Sequence, residues 1–384
     1  MSVSSPPVLQ KHADVPVMRP LMPPAETLLP YLRRIDASRV YTNHGPLVRE
    51  FEERIARMLA LPASGVATAS SGTAALAAAI LTVAGRATPA RSYALIPAYT
   101  YVATAMAVEQ VGYQPYLADI DSTSWMLDPM RLADHPSLAQ LGVVIPVAPF
   151  GRPVPQAPWL EFQARTGVPV VIDGAACLGE IVERPALYVG TIPLAISFHA
   201  TKGLSTGEGG GVVSTDTDRV LRAMQSLNFG CYGSREAQSM GMNGKMSEYH
   251  AAVGLAELDG WARKRLAFQS VAEGYRRAAA EHRLVGRFFV TPEIGMPYAL
   301  YRCRNLIEAE HMQQALEDAG VGWRLWYGTG LQHHAYFADA PRDQLDTTAQ
   351  VAPTLIGLPM AVDLTPAQIA HVIAVLAEAA RRFE

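Results

Sequence analysis

Short apolar runs alternate with helix-length stretches through most of the chain. The runs are "YALIP" (93–97), "QPYLADI" (114–120), "GVVIPVA" (142–148), "VPVVID" (168–173) and "LAISF" (194–198), and "GGGVVSTD" (209–216) predicts one more strand. The helix-like "TYVATAMAVEQV" lies between the first two. Such alternation is the pattern of a mostly parallel sheet covered on both faces, so an α/β fold with a large domain over about 35–265 is expected. Beyond it come "AEGYRRAAAEHR", an extended segment with prolines, and a last helix in "LTPAQIAHVIAVLAEAARRF". There Thr365 is placed to cap and Pro366 to take the first helical position. These elements predict a smaller α+β domain over 266–384. Residues 1–34 form an N-terminal arm, whose first twenty or so residues are proline-rich and expected to be loose or to pack on a neighbour. No internal repeat or low-complexity tract is visible, which excludes solenoid and fibrous architectures.

Composition narrows the function classes. With 384 residues, 49% of them hydrophobic, the chain is long enough for one large core and a second domain. Its 32 basic and 35 acidic residues give a net charge of -3, with no block of one sign, so nucleic acid and anionic membrane are not expected partners. Small molecules or copies of the same chain are. Cys177, Cys231 and Cys303 are too few and too scattered for a disulfide framework or a thiolate metal site. His333 and His334 have no convergent partners at ligand spacing, so no metal is expected. The opening "MSVSSPPVLQKHADVPVMRP" has neither a basic head nor an apolar core, and nowhere do about 18 apolar residues run on, so a cytoplasmic location is expected.

Ligands of open α/β sheets bind at the carboxyl ends of the strands, so residues just after the apolar runs come first. Ser71-Gly72-Thr73 opens the helix "TAALAAAILTVA" with small residues and free backbone N–H groups, a setting that suits a phosphate; an ordinary helix cap explains the same residues. Asp173 ends "VPVVID", where an ionised carboxylate needs a cation or donors, and a protonated pyridine nitrogen would be such a cation; a cap for the next helix is the plainer alternative. Lys202 follows "SFHAT" and precedes Gly203, Gly207, Gly209 and Gly210, which leave room for a flat ring. A solvated charge is the usual role of a loop lysine, but a desolvated amine forms a Schiff base with an aldehyde. Phosphate cradle, ring-nitrogen carboxylate and amine together are the three handles of pyridoxal 5'-phosphate (PLP). A dinucleotide-binding glycine loop is excluded by context, because "GEGGGVVS" leads into a strand and not a helix.

The successive motifs "NHGPLVREFEERIA", "SSGTAAL", "PAYTYVATAMAVEQVGYQPYLADID", "SFHATKGLSTGEGG" and "GMNGKMSEYHAAVGLAELD" resemble those of the DegT/DnrJ/EryC1/StrS aminotransferases, in order and over about residues 38–384. These are fold-type I PLP enzymes that aminate keto sugars. The resemblance implies Lys202 as Schiff-base lysine and proton shuttle and Asp173 as partner of the pyridine nitrogen. It further implies Gly72 and Thr73 as backbone donors to the phosphate, Ser197 as its hydroxyl donor, and Tyr101 as the aromatic stacked on the ring. Asn243 would reach the phosphate of a neighbouring subunit, which implies a homodimer with shared active sites. Two positions depart from the pattern: Ala176 stands where many members have Gln or His, and Lys245 where many have Arg. His199 at its strand end is expected to satisfy a local backbone group.

On this basis the expected activity is transfer of an amino group from glutamate to a keto sugar. The stretch "GVGWRLWYGTGLQHHAYF" is similar to one in sugar 4-aminotransferases that act on dTDP-linked 4-keto-6-deoxyhexoses, where Arg324, Trp326 and Tyr327 would serve the nucleotide; packing inside the small domain is the alternative for Trp326. Two other functions stand beside it. One is amination of a cyclitol or other non-sugar ketone, and the other is a non-catalytic binding or regulatory protein that keeps the fold.

Overall fold

The computed structural model describes residues 13–291 and 297–383. The larger sheet contains β1 (Val66–Ala69), β2 (Tyr93–Pro97), β3 (Gln114–Ala118), β4 (Leu141–Val144), β5 (Ile172–Asp173), β6 (Leu194–Ser197) and β7 (Gly210–Val213). β2 pairs in parallel with β3 and β4, and β5 with β6; β7 runs antiparallel between β6 and β1. Bridges from Val144 to Val170 and from Val147 to Asp173 join the two halves, so the strands lie in the order β3-β2-β4-β5-β6-β7-β1. The run 168–173 keeps only its last two residues in regular pairing, since Pro169 has no N–H to contribute to the ladder.

Four helices position the site. α1 spans Ala25–Ser38, α2 Pro46–Met58, α3 Gly72–Val83 and α4 Val102–Gln110. α3 is apolar all round, with Ala74–Ile80 buried, as a helix held between other layers must be. α2 is amphipathic and turns Leu47, Val48, Phe51 and Ile55 inward. Its buried Glu52 accepts from both the N–H and the hydroxyl of Thr68 on β1, at 2.8 and 2.7 Å. Glu248, fully buried, takes the free N–H groups of Leu47 and Val48 at the start of α2, both at 2.9 Å.

The described chain divides into two compact units, one of residues 22–263 with 329–349, the other of 13–21, 264–328 and 350–383. The division falls inside a single 34-residue helix, Glu248–Glu281, so no linker composition marks it. Residues 329–349, expected in the C-terminal domain, belong instead to the larger unit. Leu331 donates its N–H to the Ala98 carbonyl (2.9 Å), and buried Asp119 accepts from the N–H groups of Thr347 and Thr348 (2.8 Å each). α1, expected in the arm, is also part of the larger unit. Residues 1–12 of the arm lie outside the described residues.

The smaller unit holds the antiparallel sheet β10-β9-β8, made of β8 (Phe288–Phe289), β9 (Ala299–Arg302) and β10 (Leu355–Leu358). Its last helix, Pro366–Ala380, starts with a full capping box between Thr365 and Gln368. Among the described residues no helix is long and apolar enough to cross a membrane.

Candidate active site

β6 and β7 are joined by a narrow loop that carries Lys202. The Ala200 N–H donates to the Gly207 carbonyl and the Thr206 N–H to that of Phe198, both at 2.8 Å, which zips the loop shut below its tip. At the tip the Lys202 N–H donates to His199 O (2.8 Å), and the side chain is half-buried. His199 is satisfied locally, with Nδ1 2.8 Å from the Thr201 hydroxyl and Nε2 3.7 Å from Glu208.

Asp173 ends β5, one strand from the root of that loop, and is 8% exposed. Its Oδ2 accepts from the Thr104 hydroxyl at 2.8 Å and its Oδ1 from the Ala175 N–H at 3.1 Å. Burial pushes its carboxyl above the usual carboxylate range, against those two donors and the nearby Lys202 charge. The same burial, with the Asp173 charge, raises the thiol of Cys177, which donates to Gly174 O.

The third component is the start of α3. Ser71 caps it, its hydroxyl accepting from the Ala74 N–H (3.1 Å), which leaves the Gly72 and Thr73 N–H groups at the end of the helix dipole. A Cβ placed on Gly72 would stand 2.8 Å from Ser197 Cβ and 3.0 Å from its Oγ, so the bare helix start and the Ser197 hydroxyl are direct neighbours. A Cβ on Gly210 would stand 2.5 Å from Ser71 O and 2.6 Å from Gly72 N. The space at Gly209 and Gly210 was expected to admit a flat ring; the protein fills it itself, with Thr206 and Met246 at Gly209 and the α3 start at Gly210.

The structure therefore brings Gly72, Thr73, Asp173, Ser197 and Lys202 to the same edge of the sheet, at the carboxyl ends of β5 and β6. Tyr101 is the N-cap residue of α4 and 61% exposed; its carbonyl accepts from the Thr104 N–H (3.1 Å), one turn from the Asp173 contact. Asn243 is exposed, its amide oxygen accepting from Lys245 Nζ (3.0 Å), and its neighbour Gly244 accepts from the Ser70 N–H (2.6 Å). Burial lowers the Lys245 ammonium, which also sits 4.4 Å from the centre of the Phe229 ring. Trp326, in the smaller unit, packs on Gly357, where a Cβ would come within 2.1 Å of its Nε1, and meets Tyr298 edge-on at 5.4 Å. Thr104 was missed by sequence reasoning. Its only signal is a hydroxyl one turn after Thr100 in an otherwise apolar helix start.

The chain belongs to the DegT/DnrJ/EryC1/StrS aminotransferase family, which matches residues 25–377. Protein Rv3402c of Mycobacterium tuberculosis (strain ATCC 25618 / H37Rv) is 31% identical over 96% of this chain and 91% of its own length. The dTDP-4-amino-4,6-dideoxy-D-glucose transaminase of Shigella dysenteriae is 30% identical, covering 63% of this chain and 64% of that protein. The crystal structure of DesI, obtained with its TDP-sugar product, superposes with a TM-score of 0.84 at 27% identity, covering 97% of this chain and 94% of that one. The protein is thus a PLP-dependent aminotransferase. Its residues fit that cofactor. A bare helix start beside a serine hydroxyl is suited to a phosphate, and a buried carboxylate with two protein donors is suited to a ring N–H.

Proposed function

We propose that the protein moves an amino group from glutamate to a nucleotide-linked keto sugar of the dTDP-4-keto-6-deoxyhexose type. The observation that carries the site assignment is the buried Asp173 carboxylate beside the Lys202 charge, one strand from the Gly72–Ser197 contact. Lys202 Nζ would hold the cofactor aldehyde, and its amine would serve to move the proton of the donor's Cα. Asp173 would face the ring nitrogen and keep it protonated. Gly72 and Thr73 N–H and the Ser197 hydroxyl would bind the phosphate, while Tyr101 would cover one ring face and exclude water. Bound PLP supplies the electron-poor ring that accepts the charge left when that proton departs.

The acceptor is proposed from the likeness to DesI and to the Shigella transaminase. The active form is proposed as a homodimer in which Asn243 reaches the partner's phosphate site. In support, Asn243 is exposed and bonds to Lys245, whose ammonium lies over the ring of Phe229, itself 53% exposed. Absorbance of the holo-protein tests both substrates. Glutamate should bleach the yellow form, and a dTDP-linked 4-keto-6-deoxyhexose should restore it. Restoration by free keto acids or a cyclitol ketone, with none by nucleotide sugars, would overturn the acceptor assignment.

A further inference from the structure

Thr104 stands behind Asp173 in a way that packing alone does not require. It is 1% exposed, and its hydroxyl proton goes to Asp173 Oδ2 at 2.8 Å. Thr100 Oγ1, also buried, lies 2.9 Å from Thr104 Oγ1. A hydroxyl has one proton to give, so when Thr104 donates to Asp173 the proton in the Thr100–Thr104 contact comes from Thr100. An ionised Asp173 thus stands at the accepting end of a chain from Thr100 through Thr104, whereas a protonated acid would run the chain the other way. On the other oxygen the Ala175 N–H at 3.1 Å can only donate. Two donors thus meet the carboxylate from the protein side, one from α4 and one from the turn after β5. The other ionisable groups near it are Lys202 on the β6–β7 loop and the Cys177 thiol, which spends its proton on Gly174 O.

We propose that Thr104 is a positioning residue for this aminotransferase, whose hydroxyl holds Asp173 as an oriented, ionised acceptor for the cofactor's ring N–H. The proposal rests on the assignment of Asp173 to the ring nitrogen. The first turn of α4 would then serve the cofactor twice, Tyr101 against the ring face and Thr104 through the acid. Valine has the shape of threonine without the donor, so Thr104→Val leaves the α4 packing in place. It removes one donor from a buried carboxylate and strands the Thr100 hydroxyl.

The test uses the apo-protein and two ligands: PLP, and its carbocyclic analogue with CH in place of the ring nitrogen. Affinities are measured for wild type, Thr104→Val, Thr104→Ser and Asp173→Asn. Thr104→Val should weaken PLP about tenfold, the size of one hydrogen bond to a charged group, and leave the analogue within about twofold. Thr104→Ser should bind PLP like wild type. Equal weakening of both ligands by Thr104→Val, or no weakening, would overturn the role. If Thr104→Val does not fold, Thr100→Val reads the same discrimination at about threefold, and equal loss there also overturns it. Failure of the parent assignment looks different: Asp173→Asn would then lose both ligands alike.

Discussion

Gly72→Ala isolates the contact on which the phosphate assignment rests. The added methyl would lie 2.8 Å from Ser197 Cβ and 3.0 Å from Ser197 Oγ. The hydroxyl can rotate away, but Cβ is fixed by the backbone. Ser197 pairs with Gly210 in the β6–β7 ladder, and Gly210 abuts Ser71 and Gly72 from the other side, so β6 has nowhere to retreat. The α3 start must shift instead, by several tenths of an ångström. Overpacking of this kind costs about 1–3 kcal/mol, offset by up to about 1 kcal/mol because alanine is the better helix former. The net loss in apo-protein stability should be about 0–3 kcal/mol by urea denaturation. The effect on cofactor binding should be larger, since one shift displaces the Gly72 and Thr73 N–H groups relative to the Ser197 hydroxyl. Loss of a single charge-assisted bond, about 1.5–3 kcal/mol, corresponds to a 10- to 100-fold weaker PLP Kd, read by titrating the apo-protein. Gly286→Ala, where nothing lies within 4 Å of the new Cβ, is the control and should change neither quantity. Wild-type PLP affinity in Gly72→Ala would refute the assignment of the phosphate to this helix start.

Two further substitutions probe buried acids of opposite kind. Asp173 has its pKa raised by burial, so the folded apo-protein takes up a proton before the unfolded chain does, and its stability falls as pH rises through that raised value. Asp173→Asn removes this penalty: apo-stability of the variant should gain on wild type as pH rises from the unfolded carboxyl pKa of about 4 through the raised folded one, while PLP affinity collapses, and parallel stability curves would contradict it. For Asp343, burial works upward, but the bonds from His135 (3.0 Å) and Tyr116 (3.0 Å) and the Arg131 charge hold its carboxyl below the usual range. Its contribution is present above the unfolded carboxyl pKa of about 4 and lost as pH falls through the lower folded value. Asp343→Asn should therefore cost about 1–2 kcal/mol at pH 7 in urea melts, with the gap closing as pH falls through the lowered folded value; a pH-independent cost would contradict the ion-pair account.

Much of the fold was legible because buried parallel strands must be apolar throughout. "YALIP" and "LAISF" stand out against their flanks and became β2 and β6, and Thr365-Pro366 became the start of the last helix as its capping chemistry requires. β1, "VATA", passed unnoticed because alanine and threonine carry little hydrophobic signal, although all four residues are buried. The return of 329–349 to the larger unit was equally hidden. It is fixed by hydrogen bonds with Asp119, Ala98 and Leu117, which no local pattern announces. At the candidate site, local chemistry singled out residues from the sequence: a lysine after a strand, an acid ending a strand, a small-residue helix start. Thr104 was not, because its role exists only through a partner 69 residues away. The glycines after Lys202 were noticed, but Gly209 and Gly210 make room for the chain's own packing.

The central claim is a covalent bond between Lys202 Nζ and the PLP aldehyde. Borohydride reduction of the holo-protein followed by peptide mass mapping tests it most directly. The phosphopyridoxyl mass should appear on the peptide that contains Lys202 and on no other lysine peptide. The adduct at another lysine, or none with PLP saturating, would contradict the account.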